Sequence, residues 1–478
     1  MRETLVRTSK NTLALFAGTL AKMIASFAFV LFSAAYLGVE EFGKFSLGIF
    51  YIEFALSLTS TAVGILLTRD MAKLKHHSSS LLTSASVLAF ILTLFATIPM
   101  GVACVSLNYS PDVVAAILIS MLILVPATQA AVLEATFVAH ERAEFVTFGS
   151  VGEALIRIPL SVALLIVGFN WLSLMWVMLL TRTMLYLAYW LMARRVYDPR
   201  WNFRPRMTRR FFRRWKVFAA ENWMATTYAN LDVLVLSYFA GEVAVGLYSA
   251  AWKVVRLGSV FAKSYTTAVF PVMSAMYGKS RDSFGTLYRQ TIRIMSAVAL
   301  PAVVGITLLA DQTIAILYTD EYTDAVPVLR VLIWTLLIEF LNPFLSHALF
   351  AQGKQHQSMQ VAGISLATNC VLTTLLVSQF GAVGAAFGTV IGGLVAVICY
   401  SCFLMPPREQ WSTLLVITRV LLATGGLAAT LVLTAQQPLP LRILWASCVY
   451  GVLLFVVGVV RIKDFIDFKT LVTKQVAS

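Results

Sequence analysis

The sequence predicts an all-α polytopic membrane protein of about fourteen transmembrane helices: two six-helix lobes related by a parallel repeat, plus two additional C-terminal helices. Three observations carry this. Of 478 residues, 59% are hydrophobic and 13% charged, against roughly 25% charged in an ordinary soluble domain, so a water-facing surface is undersupplied. Apolar stretches of about 20 residues recur from Asn11 to Val460, each long enough to cross a hydrocarbon core of about 30 Å as a helix. The basic residues fall into alternate loops, which gives the chain an orientation.

The first stretch, 11–37, follows Arg2, Arg7 and Lys10 and exceeds a signal-peptide core of about 7–15 residues, so it reads as a retained span. The others follow at 42–68, 80–106, 112–138, 145–168, 171–193, 215–240, 243–275, 287–310, 326–351, 358–379, 383–404, 412–434 and 441–460. With the N-terminus inside, the cytoplasmic segments hold Arg69, Lys73, Lys75, Arg142, the run from Arg194 to Lys216, Lys279, Arg281, Lys354, Arg408, and Arg461 to Lys474. The opposite loops hold almost no base, and the longest, Asp311 to Asp324, has four acids and none. Both termini are therefore expected in the cytoplasm.

A formal charge of +14 raises the question of nucleic acid. Ten of the bases lie between Arg194 and Lys216, beside Trp201 and Trp215, where a topology determinant resting on anionic headgroups accounts for them. No fold is available to present a nucleic-acid site, and no nucleic-acid partner is expected. This linker, 196–214, separates a lobe of spans one to six (1–195) from a lobe of spans seven to twelve (215–405), leaving 406–478 for spans thirteen and fourteen and the tail.

An even number of spans per half makes any repeat parallel. Tyr36-Leu-Gly38-Val-Glu-Glu-Phe-Gly43-Lys-Phe45-Ser46 matches Phe239-Ala-Gly241-Glu-Val-Ala-Val-Gly246-Leu-Tyr248-Ser249 in an aromatic, Gly, Gly, aromatic, Ser pattern at identical spacing. Both copies fall at the first external turn of their half. Gly168-Phe169-Asn170 and Phe380-Gly381-Ala382 correspond in the same way between the fifth and sixth spans of each half. In span twelve, Gly384, Gly388 and Gly392 recur every fourth residue and define a face for close packing on a neighbour.

Charge inside a span is expensive, roughly 2.5–3.5 kcal/mol at the bilayer centre, so such residues face an interior or a wet cavity. The bases are Lys22, Arg157, Arg182, Lys253, Arg256 and Lys263; the acids are Glu53, Glu153, Asp232 and Glu339. At 100° per residue, Lys253, Arg256 and Lys263 share an arc of roughly 80° on one helix. Glu153 and Arg157, four apart, read as a structural pair. For each remaining base the alternatives are a helix-to-helix pair, a side chain snorkelling to the interface, or a cavity-lining role. Lining side chains of this sign suit an anionic ligand, phosphate above all, because Arg forks match its oxygens. Asp232, with Glu53 and Glu339, either pairs with a buried base or binds a coupling proton or sodium ion.

Enzyme constellations are missing. Cys399 and Cys402 have CxxC spacing without a second pair, and His76 and His77 lack nearby acids, so no metal or cofactor is expected. The five cysteines lie in apolar segments and imply no disulfide. There is no glycine-rich phosphate loop and no nucleophile elbow. A membrane glycosyltransferase or polysaccharide polymerase needs a sizeable external catalytic loop, which the chain lacks.

The run Asn230-Leu-Asp232-Val-Leu-Val-Leu-Ser-Tyr-Phe-Ala-Gly241, continued by Val245-Gly246-Leu-Tyr248-Ser249-Ala-Ala251, resembles spans seven and eight of Wzx-type polysaccharide flippases of the multidrug/oligosaccharidyl-lipid/polysaccharide exporter superfamily. Tyr36-Leu-Gly38 with Phe42-Gly43, and Gln379-Phe-Gly381-Ala-Val-Gly384-Ala-Ala386, are similar to turns of the same proteins. The resemblance implies alternating access through a cationic central cavity in the bacterial inner membrane. Its substrate would be an undecaprenyl-diphosphate-linked oligosaccharide, moved from the cytoplasmic to the periplasmic leaflet for O-antigen, capsule or exopolysaccharide. Membrane lipids are implied partners, with a polysaccharide polymerase and chain-length machinery beside them. A multidrug exporter or a lipid II flippase of the same superfamily is the alternative; export of organic cations would favour acids over the bases found.

Overall fold

A computed structural model of the protein describes the backbone of residues 2–73, 78–107, 109–196, 202–277, 281–404 and 407–459. Side chains are described from Ala21 onward, apart from short stretches such as 263–264 and 405–414. The basic tail after Val460 and the side chain of Lys263 lie outside the described residues.

With no water to receive a backbone N–H or C=O, an apolar span must satisfy its own backbone, and the helix does so within one segment. Every regular element among the described residues is accordingly helical. The order is α1 (Arg2–Leu56), a π-helical segment (Ser57–Thr61), α2 (Ala62–Lys73), α3 (Ser78–Ser106), α4 (Pro111–Ala139), α5 (Ala143–Ile166), α6 (Leu172–Val196), α7 (Pro205–Phe239) and α8 (Gly241–Tyr277). There follow α9 (Arg281–Leu308), α10 (Ala310–Leu317), a 3-10 turn (Asp320–Tyr322), α11 (Ala325–Leu332), α12 (Thr335–Ala351), α13 (Gln355–Leu404), α14 (Pro407–Leu433) and α15 (Leu439–Val456).

Ten helices among the described residues are long and apolar enough to cross a membrane. Two of these are double. Gly38 (φ 73°, ψ 175°) divides α1, and Gly381 (φ 53°, ψ −130°) divides α13. Those turns sit where the sequence separates spans one from two and eleven from twelve. With α7 and α8, 35 and 37 residues long, the expected fourteen spans are accounted for.

Each of the repeated turns holds a glycine at positive φ. Gly38 and Gly241 have φ of 73° and 76°, and Gly168 and Gly381 have φ of 96° and 53°. All four occupy the left-handed region that a side chain disfavours. The second glycine of each copy serves a different purpose, because the turns pack on one another reciprocally. A Cβ on Gly43 would strike the carbonyl of Glu242, and one on Gly246 would strike the carbonyl of Val39. Span twelve shows the packing role expected for its glycines, with Gly384, Gly388 and Gly392 lying against Leu376, Thr373 and Asn369 of span eleven.

The chain forms two compact units, Met1–Ser249 and Ala250–Ser478. In the first, α7 packs on α2 and α3: Phe211, Trp215 and Ala219 join Leu66, Leu67 and Leu88 in one core. Arg214 Nη1 donates to both carboxylate oxygens of the buried Asp70, at 3.2 and 3.0 Å. The π-helical segment is the other anchor of α7. A π turn loosens the regular ladder and exposes carbonyls; here Asn222 Nδ2 donates to Ser57 O and Trp223 Nε1 to Leu58 O, both at 2.9 Å, while the Ser57 and Thr226 hydroxyls lie 2.7 Å apart. Asn222→Leu keeps the volume and removes one donor from a half-buried carbonyl. It is expected to lower stability by about 1–3 kcal/mol, read as thermal unfolding of the detergent-solubilised protein. An unchanged midpoint would show that the carbonyl is satisfied by other means.

In the second unit α14 and α15 pair around Ala423, Leu427, Leu431, Ala446 and Tyr450, and Tyr450 donates to Ala297 O of α9 at 2.7 Å. Arg442 is buried there. Its Nη1 donates to Gln312 Oε1 and its Nη2 to Leu431 O, both at 3.1 Å, so it places positive charge on the carbonyl end of α14, where the helix dipole favours it.

Candidate functional site

The charges expected inside spans one, five and six meet in the first unit. Glu153 and Arg157 stand one turn apart on α5, and Arg182 reaches the same carboxylate from α6. Glu153 Oε1 lies 3.7 Å from Arg157 Nε and 3.4 Å from Arg182 Nε. The local pair read from i,i+4 spacing is therefore a three-residue arrangement, and Arg182 backs onto an acid instead of standing alone. Lys22 on α1 lies in the electrostatic field of Glu153, Arg182, Arg157 and Glu134. Glu134, on α4, sits near the end of its predicted span, where a charge reads as interfacial; it interacts with Tyr189 and Arg182 of α6.

Burial is uneven across this cluster. The Glu153 side chain is 3% exposed, whereas Arg157 and Arg182 keep 20% and 27%. The acid is behind and the guanidiniums are in front. Glu153 Oε1 and the two Nε atoms are buried, and none of the three makes a hydrogen bond. Among the described residues, the terminal nitrogens of Arg157 and Arg182 and the ammonium of Lys22 also form no hydrogen bond and no ion pair beyond those given. Arg157 additionally lies 6.0 Å from the ring of Phe29, at the outer limit of a cation–π contact. Three bases against two acids leave the cluster with one net positive charge and a set of uncommitted donors suited to an oxyanion.

The helix spacing is set by a glycine. Gly149, one turn before Glu153, faces Tyr189, two turns after Arg182, and a Cβ on Gly149 would strike the Tyr189 ring. Tyr189 is fully buried, donates to Val146 O at 3.0 Å and packs edge-on against Phe137 at 5.6 Å.

The other expected residues sit elsewhere. Asp232 is 3% exposed and accepts a hydrogen bond from Tyr248 at 2.8 Å, so one of its partners is the aromatic residue of the repeated turn. Glu53 is exposed on α1 and Glu339 half-buried on α12. On α8, Lys253 is half-buried and Arg256 exposed; both belong to the second unit. No cluster of three or more His, Cys, Asp or Glu able to hold a metal occurs among the described residues.

Solved structures share this fold. The inward closed conformation of the lipid II flippase MurJ is similar with a TM-score of 0.77 at 14% identity, covering 95% of this chain and 100% of that one. An inward-facing multidrug resistance MATE family transporter of the MOP superfamily is similar with a TM-score of 0.67 at 19% identity, covering 83% and 95%. The class the fold defines is thus a multi-pass α-helical membrane protein. Within it, the chain belongs to the polysaccharide biosynthesis protein family, whose model matches residues 8–277; a MatE model matches residues 218–375.

Curated relatives match over part of their length. The probable low-salt glycan biosynthesis flippase Agl15 of Haloferax volcanii is 25% identical over 178 residues, 37% of this chain and 38% of that protein. The capsular polysaccharide biosynthesis protein CapF of Staphylococcus aureus is 25% identical over 171 residues, 36% and 43%. The probable lipid II flippase MurJ of Treponema pallidum is 27% identical over 193 residues, 38% and 36%. The matches thus span about two fifths of these relatives' length.

Proposed function

We propose that the protein flips undecaprenyl-diphosphate-linked oligosaccharide repeat units from the cytoplasmic to the periplasmic leaflet of the bacterial inner membrane by alternating access, with both termini cytoplasmic. The observation that carries this is the set of uncommitted donors on Lys22, Arg157 and Arg182 in front of Glu153. Guanidinium forks and a point-charge ammonium are the chemistry that grips a diphosphate. Lys253, Arg256 and Lys263 on α8 are further bases proposed for the anionic head. A polysaccharide polymerase and chain-length machinery would receive the exported unit.

The sugar itself needs no charged recognition, and the lipid tail need not leave the hydrocarbon. What must be carried is the anionic head. With the cell interior negative, its outward passage is assisted by roughly 2.3 kcal/mol per charge per 100 mV where the charge crosses uncompensated. Asp232, Glu53 or Glu339 would hold any coupling cation.

Arg157→Ala and Arg182→Ala are each expected to cut surface polysaccharide at least about tenfold, since a hydrogen bond to a charged group is worth about 1.5–3 kcal/mol, and to make the lipid-linked repeat unit accumulate. Arg182→Lys should retain partial export. Full export by the Ala variants at wild-type membrane levels would sink the assignment. Accumulation of lipid II in place of the repeat unit would favour the lipid II flippase reading, which the likeness in fold supports.

A further inference from the structure

The mechanism above has no use for Glu153, the most deeply buried charge of the cluster. A carboxylate fixed behind two guanidiniums weakens their grip on an incoming anion, because its negative charge competes for the same two cations. A site evolved solely for affinity would do better with Gln or Ser there. Neither is Glu153 held as a structural ion pair is usually held. Buried pairs offset their desolvation only with good geometry and hydrogen bonds on the remaining polar atoms. Here the contacts are 3.4 and 3.7 Å, and Glu153 Oε1, Arg157 Nε and Arg182 Nε are buried without a hydrogen bond. The arrangement is loose where it is most expensive to be loose.

We propose that Glu153 is a resident counter-anion: in the unloaded protein it occupies the place that a phosphate oxygen of the cargo takes on Arg157 and Arg182, and it yields that place on loading. The inference rests on the reading of this cluster as the diphosphate site. A phosphate oxygen brought to the exposed side of the two guanidiniums meets their terminal nitrogens first, and bidentate contact with Nε and a terminal nitrogen then completes what Glu153 leaves unmade. The displaced carboxylate remains in the field of Lys22, so it is not stranded.

The exchange has a consequence for turnover. A carrier must return empty, and two desolvated guanidiniums without an anion would repel one another in a low-dielectric span. A resident carboxylate leaves neither guanidinium without an anion in the empty state. It trades affinity for the ability to reset. Glu153 is thus a positioning residue, acting on the cargo through the arginines.

The test uses the full chain in nanodiscs with undecaprenyl diphosphate as the probe, and transport in cells as the second readout. Glu153→Gln is expected to bind the probe about tenfold more tightly or better, while export of surface polysaccharide falls. Glu153→Asp retracts the carboxylate by one methylene and is expected to bind more tightly than wild type by a smaller factor; it carries the test if the Gln variant does not fold. Unchanged or weaker binding in the folded Glu153 variants overturns the counter-anion role. If Arg157→Ala and Arg182→Ala still lose binding in that case, the diphosphate site itself stands. If those two variants bind as wild type does, the site reading fails first and the counter-anion role with it.

Discussion

Gly246→Val is expected to deprive the membrane of nearly all folded protein, and Gly43→Val to do the same. The two positions are halves of one contact. A Cβ on Gly246 runs into Val39 O and lies 3.3 Å from Gly43 Cα; one on Gly43 runs into Glu242 O and lies 3.0 Å from Gly246 N. Backbone meets backbone, so no rotamer change relieves the overlap, and the repeated turns must separate. Overpacking against movable side chains costs about 1–3 kcal/mol, with larger values where the backbone must shift; a cost above about 3 kcal/mol is a large part of the marginal stability of any fold. Fluorescence-detected size exclusion of tagged protein provides the check. Gly152→Ala is the control, since a Cβ there meets nothing within 4 Å, and it should elute as wild type. The double variant Gly43→Ala with Gly246→Ala should lose less than the sum of the single losses, because the first separation already makes room for the second. Wild-type elution of Gly246→Val would show that the turns do not depend on close approach.

The same contact shows what a sequence can disclose. Gly38, Gly241, Gly168 and Gly381 are visible as a repeat because a left-handed backbone leaves its mark on a single residue type. The spans are visible for a similar reason: lipid imposes length and apolarity on each segment separately. Arg182 is harder to place. Whether it stands free or meets Glu153 depends on how α6 is rotated against α5, a relation between two separate helices that no local pattern encodes. Glu134 carries no signal of its own in the sequence, because nearness to a span end resembles an interfacial charge. The π-helical segment leaves no trace either: Ser57-Leu-Thr-Ser-Thr61 reads as an ordinary polar patch in an apolar helix, and its meaning comes from Asn222, Trp223 and Thr226 on α7.

Gly149→Val should couple packing to function more directly than any change of charge. Gly149 and Glu153 are successive turns of one face of α5, and Tyr189 and Arg182 lie two turns apart on the facing side of α6, so both contacts belong to one antiparallel seam. The new side chain would meet the Tyr189 ring, which cannot simply swing away. Turning it abandons the 3.0 Å hydrogen bond to Val146 O and the packing on Phe137. The helices must therefore part. Such a separation draws Arg182 Nε outward from its 3.4 Å contact with Glu153. The expected result is a stability loss of about 1–3 kcal/mol, together with weakened binding of undecaprenyl diphosphate, since the two guanidiniums no longer present their donors together. Adding Tyr189→Leu to Gly149→Ala should restore both properties relative to Gly149→Ala alone, and thermal unfolding with probe titration measures the pair of effects. Recovery of stability without recovery of binding would mean that Tyr189 serves the site through its hydroxyl as well as through its bulk. Wild-type behaviour of Gly149→Val in both assays would separate the spacing of α5 and α6 from the function of the cluster between them.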